Sequence, residues 1–167
     1  MTTARTTLSR RLTGSALALF AGTGILLTPA VAQASAAAPT AATATAAPAP
    51  TAAAQQAVDT AMAQQGKPYS YGAAGPDSFD CSGLTQYAWG SAGVSLPHSS
   101  SQQSQLGTPV DRASLQPGDL VFFYSPVSHV GIYIGNNQVV HAPTEGDVVK
   151  VSDIDAIGNY NSARRVG

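Results

Sequence analysis

A single cysteine, Cys81, lies in the stretch Phe79-Asp80-Cys81-Ser82-Gly83-Leu84, and three histidines, His98, His129 and His141, follow it. With no second cysteine in the chain, the thiol has no internal disulfide partner. The chemistry left to it is nucleophilic: a thiolate attacks a carbonyl when a base takes its proton and a third group orients that base. Taken alone, Cys81 fits an inert buried thiol better than a nucleophile, and either hairpin histidine alone fits an ordinary hydrogen-bonded role. What decides is whether local structure brings the thiol and the imidazoles together.

The cysteine belongs at a helix start. Leu84, Ala88 and Ala92 recur at helical spacing, Asp80 stands at the N-cap position and Gly93 at the stop, which predicts a helix over 81–92. The free N–H groups and partial positive charge of a helix N-terminus are expected to lower the pKa of a thiol in the first turn.

His129 and His141 flank the hairpin candidate HVGIYIGNNQVVHA. With Gly135-Asn136-Asn137 as a three-residue loop, Ile134 faces Gln138, and His129, Gly131, Tyr133, Val139 and His141 share one face. Val130, Ile132, Ile134, Val140 and Ala142 then form an aliphatic face on the other side. A two-residue Asn-Asn turn would slip the register by one and send the histidines to opposite faces, mixing His141 with the isoleucines. The register that buries the aliphatic residues therefore pairs the histidines, with Gly131 leaving space beside them. His98 follows Leu96-Pro97 in a loop and is expected at the surface or lining a cleft.

Around these residues the chain predicts a helix over 53–65, a Gly- and Pro-rich loop over 69–78 and a short helix over 99–106. The turn LQPGDL follows, then strands over 120–124, 129–134, 138–142, 148–151 and 164–166. Helices come first and strands later, which points to an α+β fold with N-terminal helices packed on an antiparallel β-sheet.

Residues 1–34 have the basic, apolar, Ala-x-Ala order of a secretory signal peptide with cleavage after Ala34. Residues 35–54 are nearly all Ala, Thr and Pro and predict a disordered spacer, leaving 55–167 as one domain. Removing the leader leaves five basic against nine acidic residues, a balance that argues against nucleic acid as a partner. No membrane partner is expected after cleavage, and a monomer is the default. A metal site on His129 and His141 is the competing use of that pair, but no acidic residue or further cysteine sits at a ligand-like spacing beside them. No cofactor is expected.

Taken in order, Tyr69-Ser-Tyr-Gly, Phe79-Asp-Cys-Ser-Gly-Leu, Leu96-Pro, Leu115-Gln-Pro-Gly-Asp-Leu-Val-Phe-Phe, His129-Val-Gly-Ile-Tyr-Ile-Gly, Val140-His-Ala and Ala163-Arg-Arg-Val resemble the NlpC/P60 cysteine peptidases of bacterial cell walls. The resemblance runs from about residue 58 to the end. It implies a permuted papain-like fold and a Cys-His-His triad on Cys81, His129 and His141, with Tyr69 upstream as an oxyanion partner. Asp80 and Ser82 match positions that help bind a free stem-peptide amine in some relatives. The implied activity is a secreted endopeptidase acting on peptidoglycan stem peptides, most often between γ-D-glutamate and diaminopimelate. The same chemistry serves papain-like amidases and acyltransferases, and a wall-binding module without turnover is the non-enzymatic alternative. Three positions depart from the family pattern: Ala73 for a glycine, His98 for an arginine, and no tryptophan near the end.

Overall fold

The computed structural model describes residues 49–167; the predicted leader, and the predicted spacer as far as residue 48, lie outside the described residues. Helix α1 (Ala52–Met62) is capped by Thr51, whose hydroxyl accepts from the Ala54 N–H. The folded unit thus begins before Gln55, inside the segment that composition assigns to the spacer. Alanines are good helix formers once a cap precedes them and an apolar face, here Ala57, Val58 and Ala61, follows.

Helix α2 (Cys81–Ser91) starts where Asp80 caps it and ends at the Ala92 cap, after which Gly93 takes φ +84°. Helix α3 (Ser100–Gln103), capped by Ser99, is shorter than the sequence predicts. Six antiparallel strands, β1 (Thr108–Pro109), β2 (Leu120–Phe123), β3 (His129–Gly135), β4 (Gln138–His141), β5 (Lys150–Asp153) and β6 (Tyr160–Arg165), form one sheet in the order β1-β6-β2-β3-β4-β5. A one-turn helix α4 (Ile154–Ile157) links β5 to β6. The class is α+β, as the segregation of helices and strands implies.

Both faces of the sheet are covered. Ala57 and Ala61 of α1, Leu84, Ala88 and Trp89 of α2, and Phe122, Val130, Ile132 and Val140 of the sheet form the main core. The opposite face buries Val121, Phe123, Val139 and Ala163 under Ile154 of α4. Burying a side chain of this size stabilises by about 1.5–3 kcal/mol, so the α2–sheet contact fixes the cysteine helix firmly on the strand bearing His129. At the far edge, Asp119 accepts Nε and an Nη of Arg165 at 2.8 and 2.7 Å and the Gln116 N–H at 2.8 Å, tying the turn before β2 to the last strand.

The hairpin differs from expectation in an instructive way. Ile132 faces Val140 and Tyr133 faces Val139, the register predicted, yet Gly135 pairs with Gln138. The loop is therefore the two-residue Asn136-Asn137 turn, with φ of 51° and 61°, the positive values that a type I′ turn requires. A one-residue irregularity at Ile134 absorbs the mismatch. The bulge restores the register that pattern alone demanded. Gly131 also departs from the reading: a Cβ there would meet Val139 and the Val140 carbonyl, so its missing side chain admits strand β4 rather than the histidines.

Strand β5 is displaced from the predicted 148–151. Val148 makes an isolated bridge to Pro68, and the strand instead runs on through Ser152 and Asp153. In β6 only Ala163 is buried, so no apolar alternation announces most of its length.

Candidate active site

The first wall of the site is built from residues 69–83. Asp80 Oδ1 accepts the Gly83 N–H at 2.6 Å and the Ser82 hydroxyl at 3.0 Å, which caps α2 and fixes Cys81 in its first turn. The loop before it is sewn to the same point: the Asp80 N–H bonds Ala73 O at 2.8 Å, the Gly72 N–H bonds Asp80 Oδ2 at 2.9 Å, and Tyr69 bridges Phe79. A side chain at Gly83 would collide with the Ala73 carbonyl, so glycine is what allows the loop to lie on the helix start. Tyr69, Asp80, Cys81, Ser82 and His98 consequently line one cavity of about 320 Å³.

The second wall is the strand side. His129 opens β3 and His141 closes β4, both buried, with His129 Nε2 at 2.8 Å from His141 Nδ1 and the rings nearly perpendicular. His141 Nε2 lies 2.9 Å from the Ser152 hydroxyl on β5. These contacts leave His129 Nδ1 as the ring nitrogen without a hydrogen-bond partner among the described residues. Both histidines and Ser152 line a neighbouring cavity of about 400 Å³, and Ser128 lines this one and the cysteine cavity alike. The Val130 backbone N–H is near enough to the Cys81 sulfur to pull the thiol pKa down, which puts the thiol on the side of the strand residue that follows His129.

Electrostatics correct one expectation. Burial, reinforced by the neighbouring Asp80 carboxylate, pushes the Cys81 thiol up, although the backbone N–H groups of Val130, Ser82 and Cys81 pull the other way. The helix start does supply donors, yet desolvation outweighs them. Burial also lowers His129 to about 4 and, with the charges of His129 and Lys150 adding to it, His141 to about 3. At rest, then, the site holds a neutral thiol beside two neutral imidazoles. Burial raises Tyr69 as well, with Cys81 and Asp80 acting in the same direction.

The six residues picked out by sequence therefore line two cavities that share Ser128: Tyr69, Asp80, Cys81 and Ser82 on the helix wall, His129 and His141 on the strand wall. Three further features were not foreseen. Ser152 completes a hydrogen-bonded line through both histidines; extending the alternation of β5 past Val151 would have found it, since Ser152 lies opposite Val139 on the face that holds His141. His98 lines the cleft, as expected, but also bonds Asp80 Oδ2 at 2.8 Å. Gln103, wholly buried, donates to Ser82 O and Pro97 O and accepts from Thr85, stapling the His98 loop to α2. Among the described residues no group of three or more His, Cys, Asp or Glu side chains is arranged to hold a metal ion, and no helix is long and apolar enough to cross a membrane.

A family model described as the NlpC/P60 family matches residues 66–165. A probable endopeptidase of Mycobacterium tuberculosis is 48% identical over 108 residues, covering 65% of this chain and 28% of that protein; the chain thus spans little more than a quarter of that relative. Among solved structures, the NlpC/p60 domain of the peptidoglycan hydrolase SagA superposes with a TM-score of 0.63 at 32% identity, over 68% of this chain and 98% of that one. The peptidoglycan hydrolase RipB of Mycobacterium tuberculosis gives a TM-score of 0.62 at 32% identity, over 68% and 64% of the two chains.

Proposed function

Since the chain belongs to the NlpC/P60 family, we propose that it is a cysteine endopeptidase that hydrolyses amide bonds in peptidoglycan stem peptides. The relatives described as endopeptidases and peptidoglycan hydrolases support the substrate class. The observation that carries the mechanism is the His129 Nε2 to His141 Nδ1 contact of 2.8 Å beside the cysteine cavity.

With His141 Nδ1 accepting from His129 Nε2–H, and His141 Nε2–H donating to Ser152, His129 Nδ1 carries a lone pair. That nitrogen is the base for the thiol. Cys81 Sγ attacks the amide carbonyl carbon as its proton passes to Nδ1. The C–N bond then breaks, the same proton goes to the leaving amine, and a thioester remains on Sγ. Water, giving a proton to Nδ1, attacks the thioester; the carboxylic acid departs and the thiol regains its proton. The developing oxyanion is held by the Cys81 N–H, which has no backbone acceptor among the described residues, and by the Tyr69 hydroxyl, each worth about 3 kcal/mol where such donors have been measured. Asp80 and Ser82 shape the acyl side of the cleft, and the scissile bond is γ-D-glutamyl-diaminopimelate. The order of basic, apolar and Ala-x-Ala residues in 1–34 supports export to the wall.

Digestion of purified peptidoglycan with product masses read by mass spectrometry tests this. The expected result is fragments cut at that bond by the native chain and none by Cys81→Ala; product release by Cys81→Ala equal to the native rate overturns the mechanism.

A further inference from the structure

We propose that His98 is a specificity-determining residue that competes with a cationic substrate group for the Asp80 carboxylate, an inference that rests on the peptidase reading and deepens it. A carboxylate offers about four acceptor positions, and in Asp80 all are taken. Oδ1 accepts from Ser82 Oγ and the Gly83 N–H, and Oδ2 accepts from the Gly72 N–H and His98 Nε2. An ammonium entering the cavity finds no open site on this group until one donor leaves.

On Oδ2, only His98 can leave without dismantling the wall. The two N–H donors belong to the helix cap and to the loop that carries Tyr69, and Ser82 sits in the helix itself. The His98 side chain is 29% exposed. Its backbone is held in place by the Gln103 bond to Pro97 O and by Ser99 at the α3 cap. Rotation of the imidazole therefore opens Oδ2 while the loop stays put.

Charge decides how readily that happens. The titratable groups lining the cavity with His98 are Asp80, Cys81, Tyr69 and Tyr71, and the rest of the lining is Gly and Ser, with no Lys, Arg or Glu. Among the described residues Asp80 is thus the one carboxylate that lines the cavity, with Glu145 acting on it only from beyond the lining, through its charge on Tyr69. Histidine changes charge within the physiological range. A protonated His98 cancels the Asp80 charge and repels a cation; a neutral His98 keeps one hydrogen bond and leaves the negative charge uncompensated. Preference for an ammonium-bearing substrate is therefore greater beside a neutral imidazole than beside a charged one.

The test uses one stem-peptide fragment in two forms, with a free N-terminal amine and with that amine acetylated, between pH 5 and 7, where a peptide amine stays mostly protonated. The readout is the ratio of kcat/KM for the two forms, in which the titrations of Cys81 and His129 cancel. The ratio is expected to rise about tenfold across the range, the size of one charge-assisted contact. His98→Gln should make the ratio high and flat, and His98→Arg low and flat. A flat ratio in the native chain, or an unchanged slope in His98→Gln, overturns the proposal. The same pair is also read as a ratio of dissociation constants on the Cys81→Ala chain, which needs no turnover. Absence of hydrolysis would count against the peptidase reading, while the dissociation constants decide the role of His98 either way.

Discussion

Cys81 is placed by its neighbours in sequence, through the Asp80 cap and the Gly72–Ala74 loop folded onto it, whereas His129 meets His141 across a hairpin and His141 meets Ser152 across a further strand. One wall of the cleft is local and saturated with backbone bonds; the other is assembled from three strands whose register must all be right. By this contrast the proposed nucleophile is preorganised by a short segment, while the proposed base depends on the sheet as a whole. Damage to the first wall should show as lost geometry around a single loop. Damage to the second should couple activity to sheet stability.

The largest expected effect comes from breaking the strand wall at its base. His129→Ala should lower kcat by roughly a thousandfold or more, the upper part of the range for general base removal, together with a fall in thermal midpoint as a buried, hydrogen-bonded ring is lost; turnover within tenfold of native would show that another group takes the thiol proton. Next is acidification. His129 titrates near 4 in the folded chain and near 6.5 when unfolded, so between those values the unfolded state binds more protons and stability falls as pH drops. The contribution is on the order of 3 kcal/mol, present in full above about 6.5 and lost by about 4. Denaturant unfolding across that window should show the loss, and its slope should shrink in His129→Gln.

On the helix wall, Gly83→Ala pushes a methyl group into the Ala73 carbonyl and should cost about 1–3 kcal/mol in chemical unfolding, as overpacking does, together with a fall in kcat as the Tyr69 loop is displaced. A stable and fully active Gly83→Ala would mean that this wall is less rigid than its hydrogen bonds indicate. The smallest effect is expected at Ser152. Ser152→Ala should reduce kcat by about tenfold, the worth of a hydrogen bond that selects the His141 tautomer, with KM unchanged. Ser152→Thr, which keeps the hydroxyl, should restore it, and failure of that rescue would reduce Ser152 to a packing role.

The same contrast explains what sequence could foretell. The helix wall was legible because a cap, a glycine and a cysteine lie within a few positions of one another. The pairing of His129 with His141 was legible from the aliphatic residues alone, although by the wrong turn: Asn136-Asn137 closes the hairpin and the bulge at Ile134 recovers the register. Ser152 was missed because β5 begins later than its valines imply and carries little apolar signal. Strand β6 was seen only at its end for the same reason, since its place between β1 and β2 is set by Asp119 and Arg165 and not by hydrophobic alternation. The direction of the thiol shift was misjudged because helix-end donors can be read from sequence and the desolvation that outweighs them cannot.

The protonated resting state of Cys81 bears on how long such a protein lasts. Oxidation of cysteine starts from the thiolate, and a chain with one cysteine has no resolving thiol to reverse the damage within itself. Kept as a thiol until, in the proposed mechanism, a substrate carbonyl and His129 together draw off its proton, the sulfur is chemically quiet between encounters. In the oxidising surroundings to which the proposed export would carry it, that quietness conserves the nucleophile for use.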